Sequence, residues 1–219
     1  MKQNRILFAA ILSVGFWLGA EARASDAVNP VYRERAEKIV VTLALAESAQ
    51  KTRVSDAIVE HYRGTNLIHD ANNERIKALK AQESADNKAA TAAQIAALRE
   101  DARPQLAKLH AEFLSRLAAD LSPAQIEQVK DGLTYGVLPL TFGVYQQMLP
   151  NLTAEQKAQI LAFLTEAREL AMDAGSSDEK HAWFGKYKGK INNYLAKAGY
   201  NMKQAEKELA ERNKAAAKK

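Results

Sequence analysis

The sequence has no cysteine and contains little proline, glycine or aromatic residue. Its 219 residues include 5 prolines, 10 glycines and 7% Phe, Trp and Tyr. Without cysteine there are no disulfide bridges, thiolate zinc sites, cysteine nucleophiles or lipid-modified cysteines. Sustained alternation of valine or isoleucine with polar residues is also missing, whereas alanine, leucine, lysine, glutamate and glutamine are frequent. Because these residues favour helices, the composition predicts an all-α fold.

Several catalytic and cofactor-binding motifs are absent as well. The chain has no G-x-S-x-G element, no Walker loop, no dinucleotide-binding fingerprint and no H-x-x-E-H type spacing of metal ligands. These absences leave no sequence basis for a classical serine hydrolase, a nucleotide-dependent enzyme or a helix-borne zinc site. We therefore predict no metal and no cofactor, and a non-enzymatic role is favoured over an enzymatic one.

The first 24 residues have the features of a secretory signal peptide. Lys2 and Arg5 precede an apolar stretch over residues 6–20, and an A-x-A cleavage pattern at residues 22–24 stands before Ser25. The apolar stretch is too short for a spanning helix, and no later run reaches the roughly 18–20 apolar residues that a bilayer requires. We expect cleavage near Ala24/Ser25, a periplasmic or secreted location and no membrane anchor.

The net charge of the chain is mild. The formal charge of +5 falls to +3 on cleavage, because residues 1–24 carry three basic residues and one acidic residue. Lysines are concentrated in the C-terminal third, where attraction to acidic polysaccharide is one explanation and solvated helix faces are the other. Nucleic acid is not an expected partner of an exported protein.

Helical periodicity predicts a multi-helix bundle with two long helices in the N-terminal half and shorter helices in the C-terminal half. Asn29 as N-cap and Pro30 at the first helical position mark the start of the first helix. The long helices are expected at about residues 46–80 and 92–119, with Pro104 breaking or kinking the second. Shorter helices are expected within residues 131–150, 153–172 and 177–198.

Domain organisation follows from the same pattern. Residues 25–200 are expected to form a single helical domain, and residues 201–219 a charged helical tail. Residues 81–91 are small and polar, which is compatible with a turn between the two long helices or with a solvated stretch of one continuous helix. The sequence leaves these two alternatives open.

Two segments share a helix-start pattern. Residues 121–125 read LSPAQ and residues 152–156 read LTAEQ. In each, the hydroxyl residue is placed to act as N-cap, and the glutamine three positions later completes a capping box. Both segments resemble the L-T-x-x-Q motif of periplasmic helical stress chaperones, which implies unfolded client proteins as partners. An ordinary capping box without chaperone kinship is the alternative.

A second resemblance extends over nearly the whole chain after the signal peptide. It rests on YR at 62–63 with IHD at 68–70, on YGVLP at 135–139, and on MDAGSS at 172–177 with KHAWFGKYKGKIN at 180–192. In these segments the chain resembles an uncharacterised family of exported bacterial proteins, known only as a domain of unknown function. Because many members come from polysaccharide-degrading bacteria, the resemblance implies a glycan-related setting, and it carries no established catalytic residue.

His69 is the first candidate functional residue. At about 100° per residue it shares a helix face with Ile58 and Ile76, so we expect it to point inward. Together with Tyr62 and Arg63 it would offer a proton-transfer group and a carboxylate-binding cation, as a sugar-acid lyase needs. A buried histidine satisfied by one hydrogen bond is the alternative.

His110 has similar surroundings on the second long helix. It lies on the apolar face between Leu106 and Phe113, where structural burial is the simplest explanation. If the two long helices pair antiparallel, His69 and His110 approach each other.

The segment 181–194 interleaves aromatic residues with lysines. Aromatic faces beside cations are suited to stacking on, and pairing with, an acidic sugar ring. We expect the aromatic residues Trp183, Tyr187 and Tyr194 to form a stripe on the shoulder of their helix. The alternative is an aromatic core edge in which Gly185 and Gly189 allow close approach of another helix. The candidate ligand-binding residues are His181, Trp183, Lys186, Tyr187, Lys190 and Tyr194.

Three functions follow, in order of preference. The first is a non-enzymatic periplasmic protein that binds or assists in glycan handling, with an acidic glycan or oligosaccharide as its partner. The second is a holdase chaperone for unfolded client proteins. The third is a lyase built on His69, Tyr62 and Arg63.

Overall fold

The computed structural model describes residues 29–216, and the predicted signal peptide lies outside them. Within this range the chain is helical over most of its length and has no strand, so the all-α prediction is confirmed. None of its helices is long and apolar enough to cross a membrane. The helices of the described range are α1 (Pro30–Thr42), α2 (Ser48–Ala81), α3 (Lys88–Ala118), α4 (Pro123–Leu133), α5 (Val137–Met148), α6 (Ala154–Met172), α7 (Ser177–Lys197) and α8 (Met202–Ala216).

Both predicted capping boxes form. Ser122 and Gln125 start α4, and Thr153 and Gln156 start α6. In each box the hydroxyl accepts from the glutamine main-chain amide, and the glutamine Oε1 accepts from the amide of the cap residue. The boxes therefore satisfy amides that a helix start otherwise leaves unpaired.

Residues 82–87 form a turn between the two long helices. The side chain of Asn87 closes this turn, because its Oδ1 accepts from the Ser84 amide at 2.7 Å and its Nδ2 donates to the Gln82 carbonyl at 2.8 Å. Of the two alternatives left open by the sequence, the turn is the correct one. α2 and α3 consequently pack against each other as an antiparallel pair.

α3 continues through Pro104, so of the break or kink predicted at this position the break does not occur. Proline removes the amide that would donate to the carbonyl of Glu100. Both Pro104 and Glu100 are exposed, so water can hydrate the carbonyl that the proline leaves unpaired.

Buried side chains form two hydrophobic clusters. The first joins α1, the N-terminal half of α2, the C-terminal end of α3 and α4, and the second joins α5, α6, α7 and α8. α6 takes part in both, because Leu164 belongs to the second cluster and Met172, at its C-terminal end, belongs to the first. The segment that leads from α6 into α7 therefore runs along the junction of the two clusters.

The predicted charged tail is helical and packs on the second cluster. Ala205 of α8 is buried there, and Arg212 Nη2 donates to the carbonyl of Gln147 at 2.9 Å. These contacts hold α8 against α5.

Candidate ligand-binding cleft

A narrow cleft opens where the two hydrophobic clusters meet. Its walls come from α1, the middle of α2, the turn between α4 and α5, and the segment from the end of α6 into α7. The cavity volume is about 70 Å³, which suits one small group of a ligand better than a whole drug-sized molecule. The lining residues are Arg35, Tyr62, Thr65, Asn66, Tyr135, Met172, Ala174, Gly175, Ser176, Ser177 and Lys180.

Tyr62 forms a buried wall of the cleft. It is 9% exposed, and its ring stacks on that of Tyr32 with the centroids 5.7 Å apart. Asn66 Nδ2 donates to the Tyr32 hydroxyl and so helps to fix the stack. Burial raises the pKa of Tyr62 to about 12. The phenol therefore stays protonated at neutral pH and keeps its hydrogen-bond donor.

Lys180 is the most unusual residue of the cleft, because lysine is rarely buried without an acidic partner. It is 6% exposed, and its Nζ donates to the carbonyls of Leu133 at 3.1 Å and Met172 at 3.5 Å. These carbonyls end α4 and α6, where the helix dipole is negative and favours a cation. An ammonium group has three N–H donors. The two carbonyls use two of them and leave one for the cleft.

The protonation of Lys180 is sensitive to its surroundings. Burial lowers the pKa of Lys180 to about 8, although the negative charge of Asp173 opposes this shift. At neutral pH the ammonium form is still the majority, but it is harder to maintain than in an exposed lysine. A bound anion would stabilise the ammonium by supplying an opposite charge.

Two further side chains favour an anionic ligand. Arg35 is exposed, its Cζ lies 6.0 Å from the ring centroid of Tyr62, and it has no ion pair within the described chain. The Nζ of Lys180 lies 5.8 Å from the same centroid. Thr65 is 3% exposed, and its hydroxyl has no hydrogen-bond partner among residues 29–216. Because buried polar atoms are nearly always paired, the Thr65 hydroxyl is available to a ligand.

The N-terminus of α7 also borders the cleft, although the Glu179 carboxylate, which accepts from the Gly175 amide at 2.9 Å, offsets part of its positive potential. Ser176 caps this helix by accepting from the Glu179 amide at 3.2 Å, and both Ser176 and Ser177 line the cleft. Helix N-termini carry partial positive charge and favour anions.

A cluster of histidines and carboxylates lies behind the cleft wall. His110 Nδ1 is 2.9 Å from the Asp173 carboxylate, and His110 Nε2 is 3.3 Å from Glu169. The hydrogen bond to Asp173 raises the pKa of His110 to about 9, so this histidine is charged at neutral pH. Burial alone would raise the pKa of Glu169, but the hydrogen bond from His110 and two nearby cations outweigh burial and lower it to about 2.

His61 is the most buried histidine of this cluster. It is 2% exposed, and its ring stacks on Phe113 with the centroids 4.3 Å apart. Burial lowers the pKa of His61 to about 4, so the ring is neutral at pH 7. Its Nε2 lies 3.4 Å from the Met172 carbonyl, and its Nδ1 has no hydrogen-bond partner in the described chain.

His69 fixes the main chain beside the cleft. Its Nε2 donates to the carbonyl of Asp173 at 2.7 Å. Its ring also fills the space next to Gly175, where an added Cβ would lie 2.6 Å from His69 Cγ. His69 thus determines the path of residues 173–176, which line the cleft, without lining it itself.

The structure separates the three residues predicted to form a lyase site. Tyr62 lines the cleft, whereas His69 lies behind the segment 173–176. Arg63 is half-buried, with its guanidinium 3.7 Å from Glu60, and is not among the cleft-lining residues.

The expected approach of His69 and His110 occurs through a shared neighbour, Asp173. Both contact Asp173, His69 through the main-chain carbonyl and His110 through the carboxylate. The histidine beside His110 is His61, with the ring centroids 6.5 Å apart. Within residues 29–216 no group of three or more His, Asp or Glu side chains is arranged to hold a metal ion.

The aromatic residues predicted to bind a ligand on α7 are partly covered. Tyr187 is 6% exposed, and Lys190 Nζ lies 4.0 Å from its ring centroid, so Tyr187 does not lie on the exposed shoulder expected for it. Trp183 and Tyr194 are half-buried against the second cluster, and Lys186 Nζ lies 5.0 Å from the Trp183 ring. A role of these residues in binding remains a prediction.

His181, the remaining candidate on α7, lies next to the cleft. It is exposed, and its ring stacks on that of Tyr135 with the centroids 5.5 Å apart. The close helix approach expected at Gly185 and Gly189 is not found, because no atom of the described chain lies within 4 Å of a Cβ placed on either residue.

Arg35 and Lys180 carry no recognisable motif. Lys180 resembles the other lysines of the C-terminal third, but one signal distinguishes it. It precedes Phe184, Tyr187 and Ile191 at helical spacing, and these three residues form the buried face of α7. Arg35 has no such signal, because its importance comes from the packing of α1 on α2.

A larger and more open groove runs along α6. Its cavity volume is about 790 Å³, and its lining is mainly apolar, with Leu161 and Leu170 40% and 39% exposed. Glu166, Glu169 and Tyr187 complete part of its border.

The comparisons with known proteins place the chain in a family. A search of curated proteins finds no match. A family model described as "Protein of unknown function (DUF3826)" matches residues 29–215, nearly the whole described chain. This agrees with the uncharacterised family that the sequence resembles. The chain therefore belongs to the DUF3826 family of proteins of unknown function.

Proposed function

We propose that the protein is an exported, non-enzymatic binding protein for acidic saccharides, and that its cleft receives a carboxylate of the ligand. The observation that carries this proposal is the convergence of Arg35 and the buried Lys180 around Tyr62, beside the unpartnered hydroxyl of Thr65.

The charges of the cleft suit a carboxylate. Arg35 can present two parallel N–H groups to the two oxygens of a carboxylate, which is the geometry that a guanidinium favours. Lys180 supplies one further N–H from a partly dehydrated position, where an ion pair is screened less than at the surface. The Thr65 hydroxyl can donate a third kind of hydrogen bond to the same group.

The remaining lining suits a sugar. Tyr135, which is 46% exposed, offers an aromatic ring for the apolar face of a pyranose, and Asn66, Ser176 and Ser177 offer neutral polar groups for its hydroxyls. A site for a simple inorganic anion would not need this mixture of rings, amides and hydroxyls.

Isothermal titration calorimetry with D-galacturonate and D-galactose tests the proposal, since these sugars differ in the carboxylate. We expect the mature protein to bind galacturonate and not galactose. Arg35→Gln should weaken galacturonate binding by roughly tenfold, as expected for loss of a charge-assisted pair. Lys38→Gln is the matched control, because Lys38 lies on the same helix but pairs with Glu34 away from the cleft.

Lys180→Met tests the buried cation directly. Because Lys180 also caps two helices, its variant is first checked by circular dichroism and thermal unfolding. If Lys180→Met does not fold, Arg35→Gln provides the test, because Arg35 is exposed. Absence of heat with galacturonate and glucuronate, or equal affinities of Arg35→Gln and Lys38→Gln, would refute the proposal.

A holdase function is the second candidate, and the apolar groove on α6 favours it. Exposed apolar surface of this kind can hold unfolded chains. The mature protein should then suppress thermal aggregation of citrate synthase at near-stoichiometric ratios. Leu161→Glu should abolish suppression, whereas Val41→Glu, at a 79% exposed position on α1, should not. Failure of the unmodified protein to suppress aggregation would exclude this function.

A further inference from the structure

The mouth of the cleft continues onto α7. Tyr135 lines the cleft, is 46% exposed, and stacks on His181, which directly follows Lys180 in the chain. The aromatic pair of Tyr135 and His181 therefore joins the cleft to the surface of this helix.

One flank of α7 extends from His181. At about 100° per residue, His181, Gly185 and Lys188 lie within about 60° of one another, so they form a single strip. Asn192 continues the strip, and its Oδ1 accepts from the hydroxyl of Tyr145 on α5 at 2.7 Å. The strip therefore faces the side of α7 next to α5.

This flank is open at Gly185, and it carries one acidic and one basic side chain, Asp178 at the start of α7 and Lys188 further along. No atom of the described chain lies within 4 Å of a Cβ placed on Gly185. Lys188 is exposed and has no ion pair among residues 29–216. Glycine within a helix costs about 1 kcal/mol relative to alanine, and no described neighbour needs the space that Gly185 leaves free.

We propose that the ligand is an oligomeric acidic saccharide, with the carboxylate of one residue in the cleft and the next residues along the flank formed by His181, Gly185 and Lys188. This inference rests on the proposed function of the cleft. The flank spans about 10 Å from His181 to Lys188 at the rise of an α-helix. The Tyr135–His181 pair provides an aromatic surface at the mouth, Gly185 lets the sugar approach the helix backbone, and Lys188 pairs with a second carboxylate.

Calorimetric titration with D-galacturonate and its α-1,4-linked trimer tests the inference. We expect the trimer to bind the mature protein roughly tenfold more tightly than the monomer, because its additional sugar residues make further weak contacts along the flank. Gly185→Leu should remove this gain and leave monomer affinity unchanged, because leucine blocks the flank without reaching the cleft. Leucine also favours the helix, so the variant should fold.

Lys188→Gln and Lys197→Gln form a matched pair of exposed positions on opposite sides of α7. Lys188→Gln should weaken trimer binding roughly two- to fivefold, the range of an exposed ion pair, and Lys197→Gln should not. Equal affinities for monomer and trimer, full retention of the gain in Gly185→Leu, or equal effects of the two lysine variants would overturn the inference. Monomer binding that still depends on Arg35 would leave the proposed function intact in those cases. No binding of either sugar would remove both.

Discussion

His69 donates a hydrogen bond from Nε2 to the carbonyl of Asp173, 104 residues further along the chain and 2.7 Å away. The carboxylate of the same Asp173 is held by His110 on α3. Both long helices therefore contact Asp173, at the start of the segment 173–176, and this segment forms one wall of the cleft. A side chain that the sequence suggests as a catalytic group acts in the structure as a support.

His69→Ala should weaken galacturonate binding although His69 does not line the cleft. We expect a loss of about 1–2 kcal/mol in the free energy of unfolding, from one hydrogen bond and its packing. His69→Gln should recover part of the affinity, because its amide can donate to the same carbonyl. Calorimetry and urea unfolding measure both effects. Asn73→Ala, on an exposed position of α2, should change neither. An unchanged affinity in His69→Ala would show that the segment is held without this bond.

Gly175→Ala should destabilise the protein by about 1–3 kcal/mol, the usual cost of overpacking, because the new methyl group would meet the ring of His69. Gly143→Ala is the control, since a Cβ there meets no atom within 4 Å and alanine favours the helix. In the double variant with His69→Ala, the cost of Gly175→Ala should fall but not vanish, because the Cβ that alanine keeps at position 69 would still lie 2.9 Å from the new methyl group. Additive costs in urea unfolding would contradict the assigned contact.

Galacturonate affinity should fall as the pH rises above about 8. Burial lowers the pKa of Lys180 to about 8, and a carboxylate binds the ammonium form more tightly than the neutral amine. Loss of this proton should raise the dissociation constant by at most about tenfold per pH unit. Calorimetry at pH 6–10 gives the profile, and protons should be taken up on binding near pH 8. Arg35→Gln should bind more weakly with the same profile. A flat profile would show that Lys180 does not contact the ligand.

His110 should make stability decrease with rising pH. Its hydrogen bond to Asp173 raises the pKa of His110 to about 9 in the folded state, above the value of about 6.5 in an unfolded chain. The stabilisation is therefore complete below pH 6.5 and is lost as the pH rises through 9. Because His110 is partly solvent-accessible, we expect a change of about 1–2 kcal/mol between pH 6 and 8.

Urea unfolding of the protein and of His110→Gln isolates this effect. The lowered pKa values of His61 and Lys180 make the opposite contribution, a gain of stability with rising pH, from 4 to 6.5 and from 8 to 10.5 respectively. Both groups remain in His110→Gln, so their effects largely cancel in the comparison. The pH dependence of the two proteins should differ by the stated amount, and identical slopes would contradict the assignment.

Much of the helical architecture could be predicted from the sequence, because it depends on local interactions. Ser122 with Gln125 and Thr153 with Gln156 are close in sequence, so their capping boxes depend only on neighbouring residues. The same is true of apolar periodicity, which placed α2, α6 and α7 to within a few residues. The continuity of α3 through Pro104 could not be predicted from the sequence, because it depends on the exposure of the helix side that carries Pro104 and Glu100.

The amino-acid sequence alone therefore determined the fold class, the starts of α1, α4, α6 and α7 and the membership of most segments in helices, since these properties come from short-range hydrogen bonds and helical spacing. Only the tertiary structure decided which polar side chains meet. Arg35, Tyr62 and Lys180 belong to α1, α2 and α7, of which α7 is far from the other two in the chain, and their convergence depends on how two hydrophobic clusters pack at their junction. The pKa of Lys180 is lowered because distant residues exclude water from it at that junction. His69 has a supporting role because the carbonyl of Asp173, a residue distant in the chain, accepts its hydrogen bond.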